Sequence, residues 1–408
     1  MNSRSCRHCG STLEVTVIDL GSTPLANDYV DPASELEQDS YELHARLCTT
    51  CNLVQVCDAV TPERLFSDYA YFSSYSQTWL EHARRFSDEM ISRLGLGEGD
   101  LVAEVASNDG YLLRNFAESG LDVLGIEPAA NVAQVAIDLG IDTRVEFFGE
   151  KVALALREEG VSPRLVVANN VFAHVPDIND FAAGLATLAG EDGVVSLEFP
   201  HLAEMVSRTE FDTIYHEHFS YLSLAATENV LGAADLAVFD VHRLPTHGGS
   251  LRVLAGPEGR HHVTEAVERT RRYEDRCGLT QAATYAGFQS RAERVRKDLL
   301  EFLGRAIDEG ATVAGYGAAA KGNTLLNFCG VTSDQIPMVA DANPHKQGLL
   351  LPGSRIPITS PDELLALRPD YVLILPWNLC DEIQTQLAAV RSWGGRFVTA
   401  VPNLTIGQ

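Results

Sequence analysis

Leu101-Val-Ala-Glu-Val-Ala106, then Ser107-Asn-Asp-Gly110, then Tyr111–Ser119 read in succession as a buried strand, a turn and a helix. Asp122-Val-Leu-Gly-Ile126 supplies a second strand, which ends in Glu127-Pro128. A strand, a helix and a strand in such short order open a doubly wound parallel sheet. Arg164-Leu-Val-Val-Ala168 and Gly193-Val-Val-Ser-Leu-Glu-Phe199 continue it. The expected centre of the molecule is therefore α/β, a Rossmann-like domain. In an open sheet of this kind ligands sit beyond the carboxyl ends of the strands.

The first loop narrows the ligand. A dinucleotide site needs three glycines so that backbone can approach a pyrophosphate, and here only Gly110 is present, among Glu104, Asn108 and Asp109. Acidic and amide groups suit a cofactor bearing an ammonium and a sulfonium. Glu127, at the end of the second strand, suits the hydroxyls of an adenosine ribose. S-adenosylmethionine is favoured over a nicotinamide dinucleotide. Asn170 and His174, in Asn169-Asn-Val-Phe-Ala-His-Val-Pro-Asp177, project from the end of a further strand onto the same rim.

Outward from this centre, the N-terminal end carries Cys6-Arg-His-Cys9 and Cys48-Thr-Thr-Cys51. Each knuckle presents two thiolates, and four thiolates make a closed tetrahedral Zn²⁺ site of the structural kind. His8 is a competing ligand in principle, and the insertion Leu20–Val30 has to be accommodated between the knuckles. Asp68-Tyr-Ala-Tyr-Phe-Ser-Ser-Tyr-Ser76 leads into a helical pattern through Trp79, Phe86, Met90 and Leu94. Tyr71, Tyr75 and Trp79, four apart, form a core stripe if the helix starts early; Tyr69 falls outside it. Toward the C-terminus, Val238–Val241 and Thr246–Val253 form a strand pair, with His247 beside the turn residues Gly248-Gly249. Val263–Glu309 reads as a solvated helical linker. A second α/β unit follows, with strands Thr312–Tyr316, Pro337–Ala340 and Tyr371–Leu375. Its Gly317-Ala-Ala-Ala-Lys-Gly-Asn323 puts glycine-rich backbone and Lys321 at a helix start, a seat for the phosphates of a nucleotide substrate. The expected divisions are residues 1–70, a zinc-binding domain, residues 71–300, the central domain with the helical linker, and residues 301–408, a C-terminal Rossmann-like domain.

The chain as a whole limits the partners. At 408 residues it exceeds a single core. Thirty-one basic against fifty-six acidic side chains give a net charge of −25, a field that repels nucleic acid. The longest apolar runs are of strand length, so no membrane span is expected. The N-terminus has no basic-then-apolar signal pattern, so the expectation is cytoplasmic. Nothing in the sequence sets an oligomeric state, and a monomer is the working expectation.

Tyr215-His-Glu-His-Phe-Ser-Tyr221 packs two imidazoles, a carboxylate and two phenols into seven residues. Proton abstraction and metal binding are both open to it. With zinc assigned to the cysteines, the histidines are left for acid–base work.

These motifs together, with Glu-Val-Ala-Ser-Asn-Asp-Gly-Tyr-Leu-Leu (104–113), Gly-Ile-Glu-Pro (125–128) and Gly-Tyr-Gly-Ala-Ala-Ala-Lys-Gly-Asn (315–323), resemble the nucleotide-sugar C-methyltransferases of antibiotic deoxysugar pathways. The resemblance covers essentially the whole chain and is nearest to enzymes that methylate C3 of dTDP-4-keto-deoxysugars. It implies a zinc-binding N-terminal domain, an S-adenosylmethionine domain and a C-terminal domain that helps hold the dTDP-sugar. The catalytic Tyr-x-Glu-His of that family falls on Tyr215, Glu217 and His218, and its histidine after the fourth strand on His174. Active-site tyrosines are implied at Tyr69 or Tyr71; a partner three residues after Tyr69 is Phe72, which has no hydroxyl. Substrate contacts are implied at Gly317, Lys321, Asn323 and Asp341. In this reading His218 takes the C3 proton, Glu217 orients it, and Tyr215 or His174 donates to the C4 oxyanion. The alternatives are C5 methylation, an NAD-dependent sugar oxidoreductase, and a nucleotide-sugar-binding protein without turnover.

Overall fold

The structure is a computed structural model that describes residues 4–34, 38–61, 64–65, 73–75 and 77–407. Its strands fall into three sheets. The first is built on β1 (Val15–Thr23), β2 (Tyr41–Leu47) and β3 (Val54–Gln55). In β2, Leu43, Ala45 and Leu47 are buried while Glu42 and Arg46 point outward, the two-residue alternation of a strand with one covered face. β3 pairs with β2 on one side. On the other it pairs with Ser220–Tyr221, so the stretch rich in titratable groups supplies a strand to the N-terminal sheet. Part of the expected insertion Leu20–Val30 continues β1, and Val30 exchanges backbone hydrogen bonds with Leu350 in the C-terminal part of the chain.

The central sheet holds β4 (Leu101–Val105), β5 (Asp122–Ile126), β6 (Thr143–Arg144), β7 (Leu165–Asn169) and β8 (Val194–Pro200), all parallel. Ser220–Tyr221, in the first sheet, is β9. Antiparallel β10 (Leu236–Leu244) and β11 (Ser250–Pro257) complete the central sheet in the order β10-β11-β8-β7-β4-β5-β6. Alternate residues of these strands enter different cores. Val102, Leu165 and Val167 pack with Phe86, Met90 and Phe116, whereas Ala103, Val105, Val166 and Ala168 pack with Phe181, Leu185 and Leu188. Burial on both faces accounts for the unbroken apolar runs. The strand order reverses between β4 and β7, and a crevice opens there at their carboxyl ends. The expected pair at 238–253 is present, but 246–249 is turn rather than strand: β11 begins at Ser250, after the short helical turn Thr246–Gly248.

The third sheet runs β14-β13-β12-β15-β16-β17, with β12 (Val313–Tyr316), β13 (Val339–Ala340), β14 (Ile358–Thr359), β15 (Tyr371–Ile374) and β16 (Arg396–Thr399) parallel and β17 (Thr405–Ile406) antiparallel. Residues 263–309 are helical as expected, but they are not a solvated linker. Helix Phe288–Asp308 buries Phe288, Ala292, Val295, Leu299, Phe302, Leu303 and Ala306. These side chains share one core with Val17, Ile18 and Leu20 of β1 and with Leu325 and Leu326. The apolar side chains recur at helical spacing on one face while the charges cover the other, so composition alone conceals a core helix. Residue 300, the expected boundary, lies inside this helix. Among the described residues no helix is long and apolar enough to cross a membrane.

Candidate functional site

The four knuckle thiols converge: the Sγ atoms of Cys6, Cys9, Cys48 and Cys51 all lie within 4.8 Å of one another, with Cys6–Cys51 and Cys9–Cys48 each at 3.5 Å. Four sulfurs around Zn²⁺ at ~2.3 Å stand roughly 3.8 Å apart, so the set fits a tetrahedral site with no position left for substrate. Gln55 Nε2 donates to Cys6 Sγ at 3.2 Å, the kind of outer contact that steadies a thiolate ligand. His8 does not compete, because its Nδ1 pairs with Asn179 Oδ1 at 2.7 Å. Arg7 and Cys51 tie the knuckles to the central domain: Arg7 Nη1 donates to the Pro176 carbonyl, and the Cys51 carbonyl accepts from Asn229 Nδ2.

At the crevice between β4 and β7 the acidic residues gather. Both oxygens of Glu127 are held by backbone, Oε2 by the Asn108 amide and Oε1 by that of Ala129, each at 2.9 Å. Asn108 Oδ1 and Asp109 Oδ2 accept from the amides of Ser73 and Ser74. Glu104 is buried, and burial together with Asp109 and Glu127 raises its carboxyl well above the usual range. Among the described residues no arginine or lysine pairs with Glu104, Asp109 or Glu127. Glu104 Oε2, Asp109 Oδ1, Asn169 Oδ1 and Asn170 Nδ2 are buried without partners. Crowded carboxyls with unmet hydrogen-bond capacity fit a cationic ligand, as an ammonium and a sulfonium provide. Asn108 and Asn170 both adopt positive φ, 50° and 55°, which aims their side chains from the two strand ends. Gly110 has a different reason. A Cβ there would lie 2.4 Å from Ile141 Cδ1, so its glycine is explained by close packing.

The Tyr215–Tyr221 stretch divides its groups. His216 is buried against Tyr41, ring centroids 5.9 Å apart, inside the first sheet's flank. His218 points the other way. Its Nδ1 donates to the Thr213 carbonyl at 2.9 Å, which leaves Nε2 as the acceptor for the Tyr215 hydroxyl at 2.7 Å. Burial holds this imidazole well below its ordinary pKa. His174, in the turn after β7, lies edge-on to His218 with centroids 4.6 Å apart, and its Nδ1 donates to the Glu217 carbonyl at 2.8 Å. Burial lowers His174 to about 4. The expectation that Glu217 orients His218 is corrected here, because the Thr213 carbonyl does so. The Glu217 carboxylate instead accepts from Asn27 Nδ2 at 3.2 Å, and burial raises it to about 6. Tyr69, Tyr71 and Phe72 lie outside the described residues.

Of the four expected C-terminal contacts, the structure turns one toward this cleft. Lys321 donates to Asn378 Oδ1 at 2.7 Å and lies 4.7 Å from the Trp377 ring, and its charge acts on His218 and His247. Asp341 accepts from the amides of Ala318 and Asn343 and so holds the turn after β12. Gly317 has φ 90°, and a Cβ there would lie 2.4 Å from Pro376 Cδ. Asn323 Nδ2 donates to the Ala26 carbonyl at 2.6 Å, a tie to the N-terminal segment.

Several groups at the cleft escape a sequence reading. Trp79 is half-buried and packs against the core of Phe86, Met90 and Phe116. It stacks on His82 with centroids 4.9 Å apart, and His247 lies 5.1 Å away. His82 pairs with the fully buried Glu198, which also binds Arg252 and Thr246. A carboxylate inside the apolar run Val194–Pro200 was the available signal for Glu198. Glu210 and Asp212 gave none. Asp212 accepts from Trp377 Nε1 at 2.7 Å; burial raises it to about 6, and burial plus Asp212 raises Glu210 to about 7. A carboxyl whose folded pKa is raised favours folding fully below its unfolded pKa and loses that contribution as pH rises through the folded value. Glu210→Gln should therefore match the parent protein in unfolding free energy near pH 4, and should exceed it at pH 8 by up to roughly 3 kcal/mol, read as a higher midpoint there. Parallel midpoints across this pH range would contradict the account.

Comparison with known proteins accords with this geometry. Residues 6–66 match the zinc binding domain, 79–241 the methyltransferase domain and 245–402 the C-methyltransferase C-terminal domain of described families. The chain is 38% identical over 399 residues to the C-methyltransferase NovU of Streptomyces niveus, covering 97% of this chain and 95% of that protein. Among solved structures, magnesium protoporphyrin IX methyltransferase of Synechocystis PCC 6803 with bound SAM aligns with a TM-score of 0.36 at 15% identity, covering 50% of this chain and 100% of that one. A SAM-dependent methyltransferase of Anabaena variabilis aligns with a TM-score of 0.35 at 13% identity, over 43% of this chain and 84% of that one. With three domain matches in order and a full-length relative, the chain belongs to the S-adenosylmethionine-dependent C-methyltransferases that carry an N-terminal zinc-binding domain.

Proposed function

We propose that the chain methylates C3 of a dTDP-linked 4-keto-deoxysugar, in deoxysugar biosynthesis of the antibiotic type, by way of an enolate. The supporting observation is the hydrogen-bonded pair Tyr215 Oη–His218 Nε2 beside the acidic cofactor crevice. S-adenosylmethionine, when bound, supplies the electrophilic methyl group. Glu127 is the candidate for its ribose hydroxyls, and Glu104, Asp109 and Asn170 for its charged end. A hydrogen next to a ketone is acidified because the electron pair it leaves can pass to the carbonyl oxygen, yet removal still needs a base. In this reading Tyr215 meets the sugar and His218 backs it through their hydrogen bond. The proton leaving C3 passes to the Tyr215 oxygen as Tyr215 gives its own proton to His218 Nε2. The Thr213 carbonyl keeps the tautomer that makes this possible. His174 and Trp79 exclude water from the pair and hold the sugar in line with the methyl donor.

The test is incubation with S-adenosylmethionine and a panel of dTDP-4-keto-deoxysugars, read by mass for the gain of one methyl and by NMR for its carbon. Methyl gain at C3 is the expected result. Gain at C5 would move the target, and no gain on any 4-keto sugar would overturn the proposal.

A further inference from the structure

An enolate forms only if the oxygen that receives its charge is met by proton donors, and the donors that the described residues offer around this cleft can be taken in turn. Tyr215 has one hydroxyl proton, and it is given to His218 Nε2. His218 has its proton on Nδ1, given to the Thr213 carbonyl. His174 likewise gives its Nδ1 proton to the Glu217 carbonyl, so its Nε2 can only accept. The residues that a sequence reading would assign to the oxyanion have therefore spent their protons elsewhere.

Two side chains on the flank formed by Trp79, Gly248 and Trp377 have not. His247 makes no hydrogen bond among the described residues, and a neutral imidazole always carries one N–H. Its backbone is held at φ 54° and ψ 27°, a left-handed conformation uncommon outside glycine, and of the kind kept where a side chain must be aimed. The turn is locked around it. Thr246 Oγ1 donates to Glu198, and a Cβ on Gly248 would lie 2.5 Å from Glu210 Oε1 and 2.7 Å from Trp377, so the residue next to His247 has no latitude to shift. Lys321 has three protons and gives one to Asn378. Its charge acts on both His247 and His218, which places it within electrostatic reach of anything bound between them.

We infer that His247 and Lys321 together hold the C4 oxygen of the sugar as it becomes an oxyanion, a reading that rests on the proposed C3 methylation. The C3–H bond breaks and its electron pair becomes the C3–C4 double bond, while the carbonyl pair moves onto oxygen. The proton goes through Tyr215 to His218. His247 and Lys321 donate hydrogen bonds to the oxygen throughout. When the C3 pair forms the bond to the methyl carbon, the C4 carbonyl is restored and the two donors are released. The imidazole stays neutral, since burial and the Lys321 charge lower it to about 4, so it polarises the oxygen without surrendering a proton to the enolate. The C-terminal unit thereby supplies a group that touches the reacting atoms, besides any it supplies to the nucleotide.

The experiment compares the full-length enzyme with His247→Phe, His247→Gln and Lys321→Met. Readouts are exchange of the C3 hydrogen in deuterated water with S-adenosylhomocysteine bound, and kcat and KM for the methylated sugar. Loss of one oxyanion donor costs about 10²–10³-fold, so His247→Phe and Lys321→Met should lower both exchange and kcat by that order. His247→Gln, which keeps an N–H donor, should recover a part of both. Unchanged thermal midpoints and S-adenosylhomocysteine affinity would separate this from misfolding. A raised KM with normal kcat and normal exchange would overturn the inference and leave Lys321 as a phosphate contact. If the parent enzyme itself exchanges no C3 hydrogen, the C3 reading and this inference both fall; if the parent exchanges and the variants match it, only the inference does.

Discussion

His218→Asn should lower C3 hydrogen exchange and turnover by about 10³-fold, within the range set by loss of a positioned base. His218 Nε2 is the acceptor toward which the Tyr215 hydroxyl points, and the Thr213 carbonyl fixes it in that form. Asparagine offers no basic nitrogen at that place, so Tyr215 can no longer pass its proton on as the C3 proton arrives. The effect should be confined to chemistry. His218 makes no hydrogen bond with Glu104, Asp109 or Glu127, so affinity for S-adenosylhomocysteine should stay within a factor of about three, a difference worth under ~1 kcal/mol. The asparagine amide can still donate to the Thr213 carbonyl, so the thermal midpoint should fall by no more than a few degrees. Near-normal exchange in the variant would place the base elsewhere.

Removal of zinc, by strong chelation or by Cys48→Ser, should be the largest single loss of stability available in the molecule. Structural zinc bound by four thiolates contributes on the order of 10 kcal/mol, as much as a typical whole domain holds in reserve. Cys48 is fully buried, and a serine there replaces a thiolate ligand by a hydroxyl that binds zinc poorly. The loss reaches the catalytic residues through the backbone: β3 follows the second knuckle directly and pairs with β9, and β9 starts two residues after His218. Metal analysis should give one zinc per chain in the parent protein, with release tracking the loss of both folded signal and methyl transfer. Metal-free protein with an unchanged melting midpoint would refute this role.

The central sheet and the knuckles were legible in the sequence for physical reasons. Strands covered on both faces, such as Leu101–Val105 and Leu165–Asn169, are apolar but for the groups they turn to the site, and cysteines separated by two residues can serve one metal with little help from their neighbours. The nearness of His174 to His218 could be anticipated only in part: His174 follows β7, a matter of topology, whereas Tyr215 and His218 lie in the segment that leads into β9. What stayed hidden depends on partners far away in the chain. Helix Phe288–Asp308 looks like a charged linker until β1 covers its apolar face. Asn27 as the partner of Glu217, Thr213 in place of Glu217 behind His218, and Trp377 over Lys321 are contacts between segments that no local pattern relates. Two-residue strands such as Val54–Gln55 carry no periodicity at all.

That short strand has a consequence for how the protein is made. During synthesis the knuckles emerge early and can bind zinc at once, yet the exposed edge of Val54–Gln55 cannot be closed until Ser220 and Tyr221 leave the ribosome. An unpaired edge held open over so long an interval invites pairing with a neighbouring nascent chain. A fragment that stops after the methyltransferase strands but before Tyr221, or a zinc domain expressed alone, inherits the same open edge for good. Anyone exchanging N-terminal units between related enzymes would have to carry β9 along with them.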